Sequence, residues 1–225
     1  MTTPSIILTD IEGTTTDLNF VHKVLFPYAR KKMDAFVRKH SRDPEVSLAL
    51  SAVASIAKKP LNLNNTIARL EQWMDSDQKI APLKTLQGLL WAQGYAAGIF
   101  KGHVYEDVPT AFKRWTEAGI KLYCYSSGSV QAQKLIFAHT PYGDLTPYFT
   151  NYYDTVTGAK RDSASYAAIA ANMQVAPSDI LFLSDIVEEL DAAQAAGLQT
   201  RQIVRDGDFD PEAKHRPTRD FSQIA

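Results

Sequence analysis

The stretch SIILTDIEGTTTD, from Ser5 to Asp17, begins as a short apolar strand and then becomes polar. Asp10 and Glu12 follow the apolar part, two residues apart, and Gly13 and three threonines come next. Side chains at positions i and i+2 lie on the same face of a strand, so the two carboxylates would repel each other unless a cation lies between them. Acids before a glycine are also common in turns, where water solvates them. The stretch alone leaves both interpretations open.

The composition argues against several classes of function. The 225 residues carry 24 Lys and Arg against 25 Asp and Glu, a net charge of −1, so no basic excess favours nucleic acid binding. The single cysteine, Cys124, excludes an internal disulfide and is typical of a reducing compartment, where we expect it to be a small core residue. The sequence contains neither a signal-peptide pattern nor an apolar run near the roughly 20 residues of a membrane span. We therefore expect a cytoplasmic protein that binds neither nucleic acid nor a membrane.

Short segments rich in β-branched or aromatic residues predict five strands: SIILTD, IKLYCYSS, YFTNYYD, DILFLSD and LQTRQIVR. Helical patterns separate the last four of them: VPTAFKRWTEAG, which stops at Gly119, GSVQAQKLIFAH, SASYAAIAANM and VEELDAAQAAG. The alternation of strand and helix predicts an α/β fold, with a parallel sheet covered by helices on both faces.

The region from about Leu18 to Phe100 contains helical patterns instead of strands. They cover VHKVLFPYARKKMDAFVRKH, with a kink or break expected at Pro27, the residues after Asp43, NNTIARLEQWM with an asparagine cap, and APLKTLQGLLWAQGYAAG. An insertion after the first strand starts at the carboxyl edge of the sheet, where open α/β sheets bind ligands. We therefore expect an α/β catalytic core of residues 1–17 and 101–225, and an inserted all-helical cap of residues 18–100 that excludes water.

Chemically useful residues follow three further predicted strands. Ser126 and Ser127 precede Gly128, which is expected to open a helix whose N–H groups, with a serine hydroxyl, could hold a phosphate oxygen. Lys160 precedes another helix and could supply a positive charge for phosphate, and Asp185 follows the fourth strand. Taken singly, a serine cap, a solvated lysine and an acid capping a helix explain these residues as well.

Taken together, these residues predict one site, because the carboxyl ends of the strands meet at one edge of a doubly wound sheet. Asp10, Glu12 and Asp185 offer the hard oxygen ligands that Mg²⁺ prefers, and the cation would relieve the repulsion between the carboxylates. The serines and the lysine then remain for a phosphate group. The helix dipole explains the acids Glu188 and Glu189, and we favour this explanation for Glu188.

This order of residues resembles the haloacid dehalogenase superfamily of phosphotransferases. Segments from Ile7 to about Gly197 resemble more closely the enolase-phosphatase family of methionine salvage: DIEGTTT, with glutamate in place of the usual second aspartate, LFPYA, QGYAAG, YSSGSVQAQKLIF, YDTVTGAK and FLSDIVEELDAA. TDLNF, from Thr16 to Phe20, departs from the family, whose members usually carry proline and isoleucine after the threonines. The departure affects substrate contacts at the start of the cap and leaves the phosphoryl chemistry intact.

The resemblance implies a modified Rossmann core, a monomer and Mg²⁺ as cofactor. It implies a small-molecule phosphate ester as substrate, 2,3-diketo-5-methylthiopentyl-1-phosphate. This ester is enolised, and the enol phosphate is then hydrolysed to the acireductone, 1,2-dihydroxy-3-keto-5-methylthiopentene.

The resemblance also assigns roles to the site residues. Asp10 is the nucleophile that forms an aspartyl-phosphate, and Glu12 protonates the leaving oxygen and then activates water. Ser126, Ser127 and Lys160 hold the phosphoryl oxygens. Whether the Glu12 side chain serves the metal or the proton stays open, because the backbone carbonyl at this position is an alternative metal ligand.

Three alternatives share parts of this pattern. A phosphoacceptor signalling module also gathers acids, a hydroxyl and a lysine, but it has no helical insertion. A dehalogenase could use the same aspartate and would need no metal. A generic sugar or nucleotide phosphatase would share the core without the enolase step. The base that removes the proton during enolisation also stays open between Glu12 and a lysine or histidine of the cap, for example His22 or Lys23.

Overall fold

The computed structural model describes residues 3–224, so residues 1–2 and 225 of the predicted core lie outside the described range. The chain forms two compact units. One unit contains the stretch through Leu18 and the stretch from Gly102 onward, and the other is Asn19–Lys101. The second unit is thus an insertion in the first.

The first unit is built on a parallel sheet of six strands: β1 (Ile6–Thr9), β2 (Lys121–Tyr125), β3 (Phe149–Tyr153), β4 (Ile180–Ser184), β5 (Gln199–Ile203) and β6 (Pro217–Thr218). The strands lie in the order β3-β2-β1-β4-β5-β6, and all neighbours are parallel. The five predicted strands are confirmed. Sequence prediction misses β6 because two residues show no periodicity.

The second unit consists of helices. A short α1 (Leu18–Phe20) leads into it and continues as a π-helix (Val21–Leu25), and four longer helices follow: α2 (Phe26–His40), α3 (Pro44–Ile56), α4 (Leu63–Asp75) and α5 (Ala81–Ala96). Their apolar faces form the core of this unit, which includes Met33, Val37, Leu70 and Leu86.

The irregularity expected at Pro27 is present: this proline lies in the first turn of α2, directly after the π-helix Val21–Leu25. The expected position of the next asparagine cap is wrong. The cap of α4 is Asn62, which lies before the predicted segment and whose side chain accepts a hydrogen bond from the N–H of Asn65 at 2.9 Å.

Within the described residues, the first unit also contains four longer α-helices: α6 (Asp107–Glu117), α7 (Val130–Ala138), α8 (Ser163–Met173) and α9 (Val187–Ala195). α8 and α9 pack against the face of the sheet that presents Leu8 and Phe182. On the other face, Phe112 of α6 contacts the rings of Phe137 and Phe149. Both faces of the sheet are therefore covered, as predicted. No helix within residues 3–224 is long and apolar enough to span a membrane.

The register of the central strands determines where the site forms. Thr9 of β1 pairs with Cys124 of β2 and with Leu183 of β4. The three strands therefore end at nearly the same level of the sheet. The residues that directly follow them are the predicted site residues Asp10, Ser126 and Asp185.

Candidate active site

After β1 the chain forms a tight turn instead of continuing as a strand. The N–H groups of Thr14, Thr15 and Thr16 all donate hydrogen bonds to the carbonyl oxygen of Ile11, at 3.2, 2.9 and 2.9 Å. The three threonines are fully buried. Strand alternation therefore does not determine the direction of the side chains in this turn, contrary to the argument from the sequence.

A buried group of three charges lies at the carboxyl edge of the sheet. The Lys160 ammonium is 2.7 Å from Oδ1 of Asp10 and 2.6 Å from Oε2 of Glu189. Burial lowers the pKa of Lys160, but the two carboxylates outweigh this effect and raise its pKa above the usual value. The structure thus brings Lys160 to Asp10, and its raised pKa keeps the ammonium charged at neutral pH.

Glu189 is a site residue that the sequence analysis left among the helix-dipole acids. Its Oε2 also accepts a hydrogen bond from the Ser184 hydroxyl at 3.0 Å. Burial and the charge of Asp10 raise the pKa of Glu189, while Lys160 and Ser184 act in the opposite direction. No helical spacing connects Glu189 to Asp185, because Asp185 lies before Ile186, the cap residue of α9.

Asp185 is held by the turn that follows β1. Its backbone N–H donates to Oγ1 of Thr14 at 3.1 Å. Its carboxylate lies so close to Gly13 that a Cβ on this glycine would be 2.3 Å from Oδ2. Burial, together with the charge of Asp10, raises the pKa of Asp185 from 3.8 to about 7. The structure thus places Asp185 beside Asp10 without a positive group to compensate it fully.

This arrangement fits a metal cation. Oδ1 of Asp185 is buried and has no hydrogen-bond partner among the described residues. An unpartnered buried carboxylate oxygen near a second carboxylate is the environment in which a divalent cation binds, and carboxylates are the ligands that Mg²⁺ and Ca²⁺ prefer. Asp10 and Asp185 therefore fit a hard metal ion.

Glu12 does not complete a cluster of three side chains. Within residues 3–224, no group of three His, Cys, Asp or Glu side chains is arranged to hold a metal. Glu12 is half-buried, and its backbone forms an isolated parallel bridge with Thr16. Metal binding by Glu12 stays a prediction, with its backbone carbonyl as the alternative ligand.

The predicted phosphate loop, Ser126 to Gly128, lies beyond β2. Ser126 is buried and its hydroxyl accepts a hydrogen bond from the N–H of Gly128 at 3.1 Å, whereas Ser127 is half-buried. The side-chain amide of Gln133 donates to the carbonyl oxygens of Gly128 and Tyr153 at 2.9 and 2.8 Å. This buried glutamine, which the sequence analysis did not single out, therefore fixes the loop against the end of β3.

Gly128 does not open a helix, contrary to expectation. α7 begins at Val130, and the hydroxyl of Ser129 caps it. The N–H of Val130 donates to Oδ2 of Asp154 at 3.2 Å. Because side chains already occupy N–H groups at the start of α7, the loop before the helix is the better place for a phosphate oxygen.

Comparisons with known proteins agree with this geometry. The haloacid dehalogenase-like hydrolase model matches residues 4–197. The enolase-phosphatase E1 of Thioalkalivibrio sulfidiphilus is 51% identical over 219 residues, which are 97% of this chain and 98% of that protein. The chain belongs to the enolase-phosphatase E1 family of haloacid dehalogenase-like hydrolases.

A second curated relative supports this assignment to the E1 family, and solved structures share the fold. The enolase-phosphatase E1 of Methylococcus capsulatus is 52% identical over 97% of this chain and 96% of that protein. The crystal structure of the UTR4 protein from Saccharomyces cerevisiae superposes with a TM-score of 0.84 at 34% identity, and the match covers 98% of this chain and all of that one. A dehalogenase crystal structure, with a TM-score of 0.60 at 16% identity, shares the fold alone.

Membership of the E1 family confirms that the chain is a hydrolase and a phosphatase, as predicted. Phosphatases of this family generally depend on a metal ion, and the carboxylates of Asp10 and Asp185 fit one. Membership of this family therefore argues against two of the alternatives, a phosphoacceptor signalling module and a dehalogenase.

The close approach of Gly13 to Asp185 predicts a large effect of a single methyl group. Gly13 has φ +74°, and a Cβ there would overlap the Asp185 carboxylate at 2.3 Å. We expect Gly13→Ala to lower both the free energy of unfolding and the affinity for a divalent metal, measured by urea unfolding and by calorimetry.

Gly119 provides the matched control for this substitution. It has φ +80° at the end of α6, but no atom lies within 4 Å of where its Cβ would be. Gly119→Ala should therefore lower the free energy of unfolding by only roughly 1–2 kcal/mol, the cost of placing alanine in a left-handed backbone conformation. It should leave metal affinity unchanged. Equal losses of stability in the two variants, with metal affinity intact in both, would contradict the proposed role of Gly13.

The raised pKa of Asp185 predicts how the stability of the metal-free enzyme depends on pH. Because folding raises this pKa from 3.8 to about 7, the folded state binds the proton more tightly than the unfolded chain. The contribution of Asp185 to stability is therefore fully present below about pH 4 and is lost as the pH rises to about 7.

Asp185→Asn isolates this contribution. With a chelator present, the free energy of unfolding of Asp185→Asn should increase relative to that of the wild type as the pH rises from about 5 to about 7.5. A divalent cation should reduce the gain by stabilising the wild type. A difference between the two proteins that does not change with pH would exclude Asp185 as the titrating group.

Proposed function

We propose that this chain converts 2,3-diketo-5-methylthiopentyl-1-phosphate, through its enol phosphate, into 1,2-dihydroxy-3-keto-5-methylthiopentene and phosphate. This is the enolase-phosphatase reaction of methionine salvage. The observation that carries the proposal is the 51% identity to an enolase-phosphatase E1 over nearly the full length of both chains. The buried group of Asp10, Lys160 and Glu189 supports it with chemistry suited to phosphoryl transfer.

Asp10 is the proposed nucleophile. Its Oδ1 is held by Lys160 at 2.7 Å and by the N–H of Ile11 at 2.7 Å. This leaves Oδ2 to attack phosphorus: the new bond joins Oδ2 to phosphorus while the bond to the ester oxygen breaks. Glu12 is the proposed acid that protonates the departing oxygen and the base that then activates water for hydrolysis of the aspartyl-phosphate.

Positive charge and donors are needed because an anionic nucleophile approaches an anionic ester. Lys160, the Ser126 hydroxyl and the Ser127 backbone are proposed to bind the phosphoryl oxygens. Asp10 and Asp185, with Glu12, are proposed to hold Mg²⁺, which when bound would neutralise negative charge on the phosphoryl group.

The inserted helices of Asn19–Lys101 are proposed to act as a cap that excludes water and contacts the methylthio end of the substrate. The base for enolisation is proposed to be Glu12 or a lysine or histidine of the inserted unit, for example His22 or Lys23, which are both exposed. We further propose that the enzyme is a cytoplasmic monomer.

The test supplies the diketone phosphate with and without Mg²⁺, and follows enol absorbance and phosphate release in the same reaction. The proposal requires a Mg²⁺-dependent enol signal that precedes or accompanies the release of phosphate. Release of phosphate from many unrelated esters, without an enol signal, would instead identify a generic phosphatase on the same core.

A further inference from the structure

Arg205 lies just beyond β5 and reaches the turn that follows β1. Its Nε and Nη2 both donate to the carbonyl oxygen of Thr14, at 2.9 and 2.6 Å. Its Nη1 donates to Oδ1 of Asp107 at 2.7 Å. The guanidinium also lies over the rings of Tyr105 at 4.1 Å and Phe221 at 4.9 Å. These five contacts, with four different residues, define the position of this side chain.

Its burial indicates that this arrangement is built into the fold. The Arg205 side chain is only 8% exposed. A buried guanidinium is costly unless its donors are satisfied, and here they are directed at one carboxylate and at two backbone carbonyls, those of Thr14 and, at 3.5 Å, Arg219. Asp107 is itself fixed, because its Oδ2 accepts a hydrogen bond from the N–H of Phe221 at 2.8 Å.

Thr14 connects this arginine to the proposed metal ligand Asp185. While its carbonyl oxygen accepts two hydrogen bonds from Arg205, its Oγ1 accepts one from the Asp185 backbone N–H at 3.1 Å. The Thr14 N–H donates to Ile11, the residue that follows Asp10. A shift of Thr14 would therefore move the segments that carry both carboxylates.

We propose that Arg205 is a positioning residue for the metal site: it holds Thr14 in place and thereby fixes the spacing of Asp10 and Asp185. Its hydrogen bonds go to Thr14, Asp107 and Arg219, and not to the carboxylates of Asp10 or Asp185. This inference rests on the proposed metal-dependent phosphatase function. It predicts that loss of Arg205 weakens metal binding and lowers kcat, while KM for the substrate changes little at saturating metal.

Lysine cannot reproduce this role. The planar guanidinium directs two N–H groups at one carbonyl and a third at Asp107, whereas an ammonium is a single point charge. Arg205→Lys should therefore fold and retain the charge, yet bind metal more weakly than the wild type. Residues that orient metal ligands typically contribute 10–100-fold to affinity, so about 10-fold is expected for Arg205→Lys and more for Arg205→Ala.

Arg114 provides a matched control within the same unit. Its Nη2 donates to the carbonyl oxygens of Phe221 and Ile224, both at 2.7 Å, and its guanidinium lies 5.7 Å from the centre of the Trp115 ring. It thus supports the C-terminal segment as Arg205 does, but it makes no contact with Thr14. Arg114→Ala should lower stability without weakening metal binding.

The experiment measures Mg²⁺ and Mn²⁺ dissociation constants by calorimetry on the full chain without substrate, alongside urea unfolding and steady-state kinetics. Weaker metal binding in both Arg205 variants, with Arg114→Ala equal to the wild type, supports the inference. Metal binding by Arg205→Lys equal to that of the wild type overturns it, as does an equal loss of affinity in Arg114→Ala.

Failure of the proposed function gives a different result. If the wild type binds metal but does not turn over the diketone phosphate, the proposed substrate is incorrect. The calorimetric comparison of the Arg205 and Arg114 variants still tests whether Arg205 positions the metal site. If the wild type turns over the ester and only stability distinguishes Arg205→Ala, the inference fails and the proposed function stands.

Discussion

Asp10→Asn should reduce the rate of phosphate release by about 10⁴-fold or more, because an amide cannot form the aspartyl-phosphate. The protein should remain folded. Lys160 keeps Glu189 as its ionic partner in this variant, and the substitution removes no volume from the edge of the sheet. The measurements are initial rates of phosphate release at saturating substrate and metal, with urea unfolding as the check of the fold.

Asp154 provides a control of the same chemistry. Like Asp10, it directly follows a strand, and its carboxylate accepts hydrogen bonds from the N–H groups of Val130 and Val156 at 3.2 and 2.9 Å. Asp154→Asn keeps an acceptor oxygen and should lower the rate by no more than about 10-fold, since no bond to phosphorus depends on it.

Two further measurements make the Asp10 result decisive. Asp10→Ala, which cannot revert to aspartate by deamidation, should match the loss in Asp10→Asn. Rapid quenching of the wild type should reveal a covalent phosphate on Asp10 in the intact mass. Turnover by either variant within about 10-fold of the wild type would exclude Asp10 as the nucleophile.

Much of the core could be predicted because its elements are determined locally. The apolar run ending at Asp10 and the small-residue pattern from Ser163 to Met173 each indicate one element, and α8 has the predicted limits. Convergence of Asp10, Lys160 and Asp185 follows from a parallel sheet, whose strands all end at one edge. The sequence pattern therefore predicted which residues lie near Asp10, but it did not predict the distances between them.

The parts that could not be predicted depend on contacts between distant residues. Glu189 has the position of an ordinary acid at a helix start, and only the fold shows that it meets Lys160. Arg205 and Thr14 are far apart in sequence, so no local period connects them. The turn after Thr9 was hidden because a strand pattern does not show where a strand ends.

Lys160→Met should produce the second large loss, in both stability and turnover. The ammonium compensates two carboxylates whose side chains are 6% and 12% exposed, those of Asp10 and Glu189. Removing one partner of a buried ion pair costs about 3–5 kcal/mol, because uncompensated charge remains behind. Loss of one phosphate contact should also lower the rate about 10²–10³-fold. Urea unfolding and phosphate release at saturating metal measure the two effects.

An exposed ion pair provides the comparison. Lys113 and Glu117 are 3.8 Å apart on α6, and their side chains are 65% and 66% exposed. Lys113→Met should change stability by less than about 1 kcal/mol, since solvent screens such a pair. The additional loss of stability in Lys160→Met, compared with Lys113→Met, then measures the effect of burying the ion pair.

The double variant Lys160→Met/Glu189→Leu separates stability from catalysis. Replacing both members of a buried pair by apolar groups removes the uncompensated charge of Glu189, so part of the lost stability should return, while Asp10 remains uncompensated. Turnover should not return, because Asp10 still lacks the ammonium that would hold Oδ1 and bind the phosphoryl group. If turnover recovers together with stability, Lys160 only neutralises charge in the folded state, and the phosphate must be bound by the loop of Ser126 and Ser127 alone.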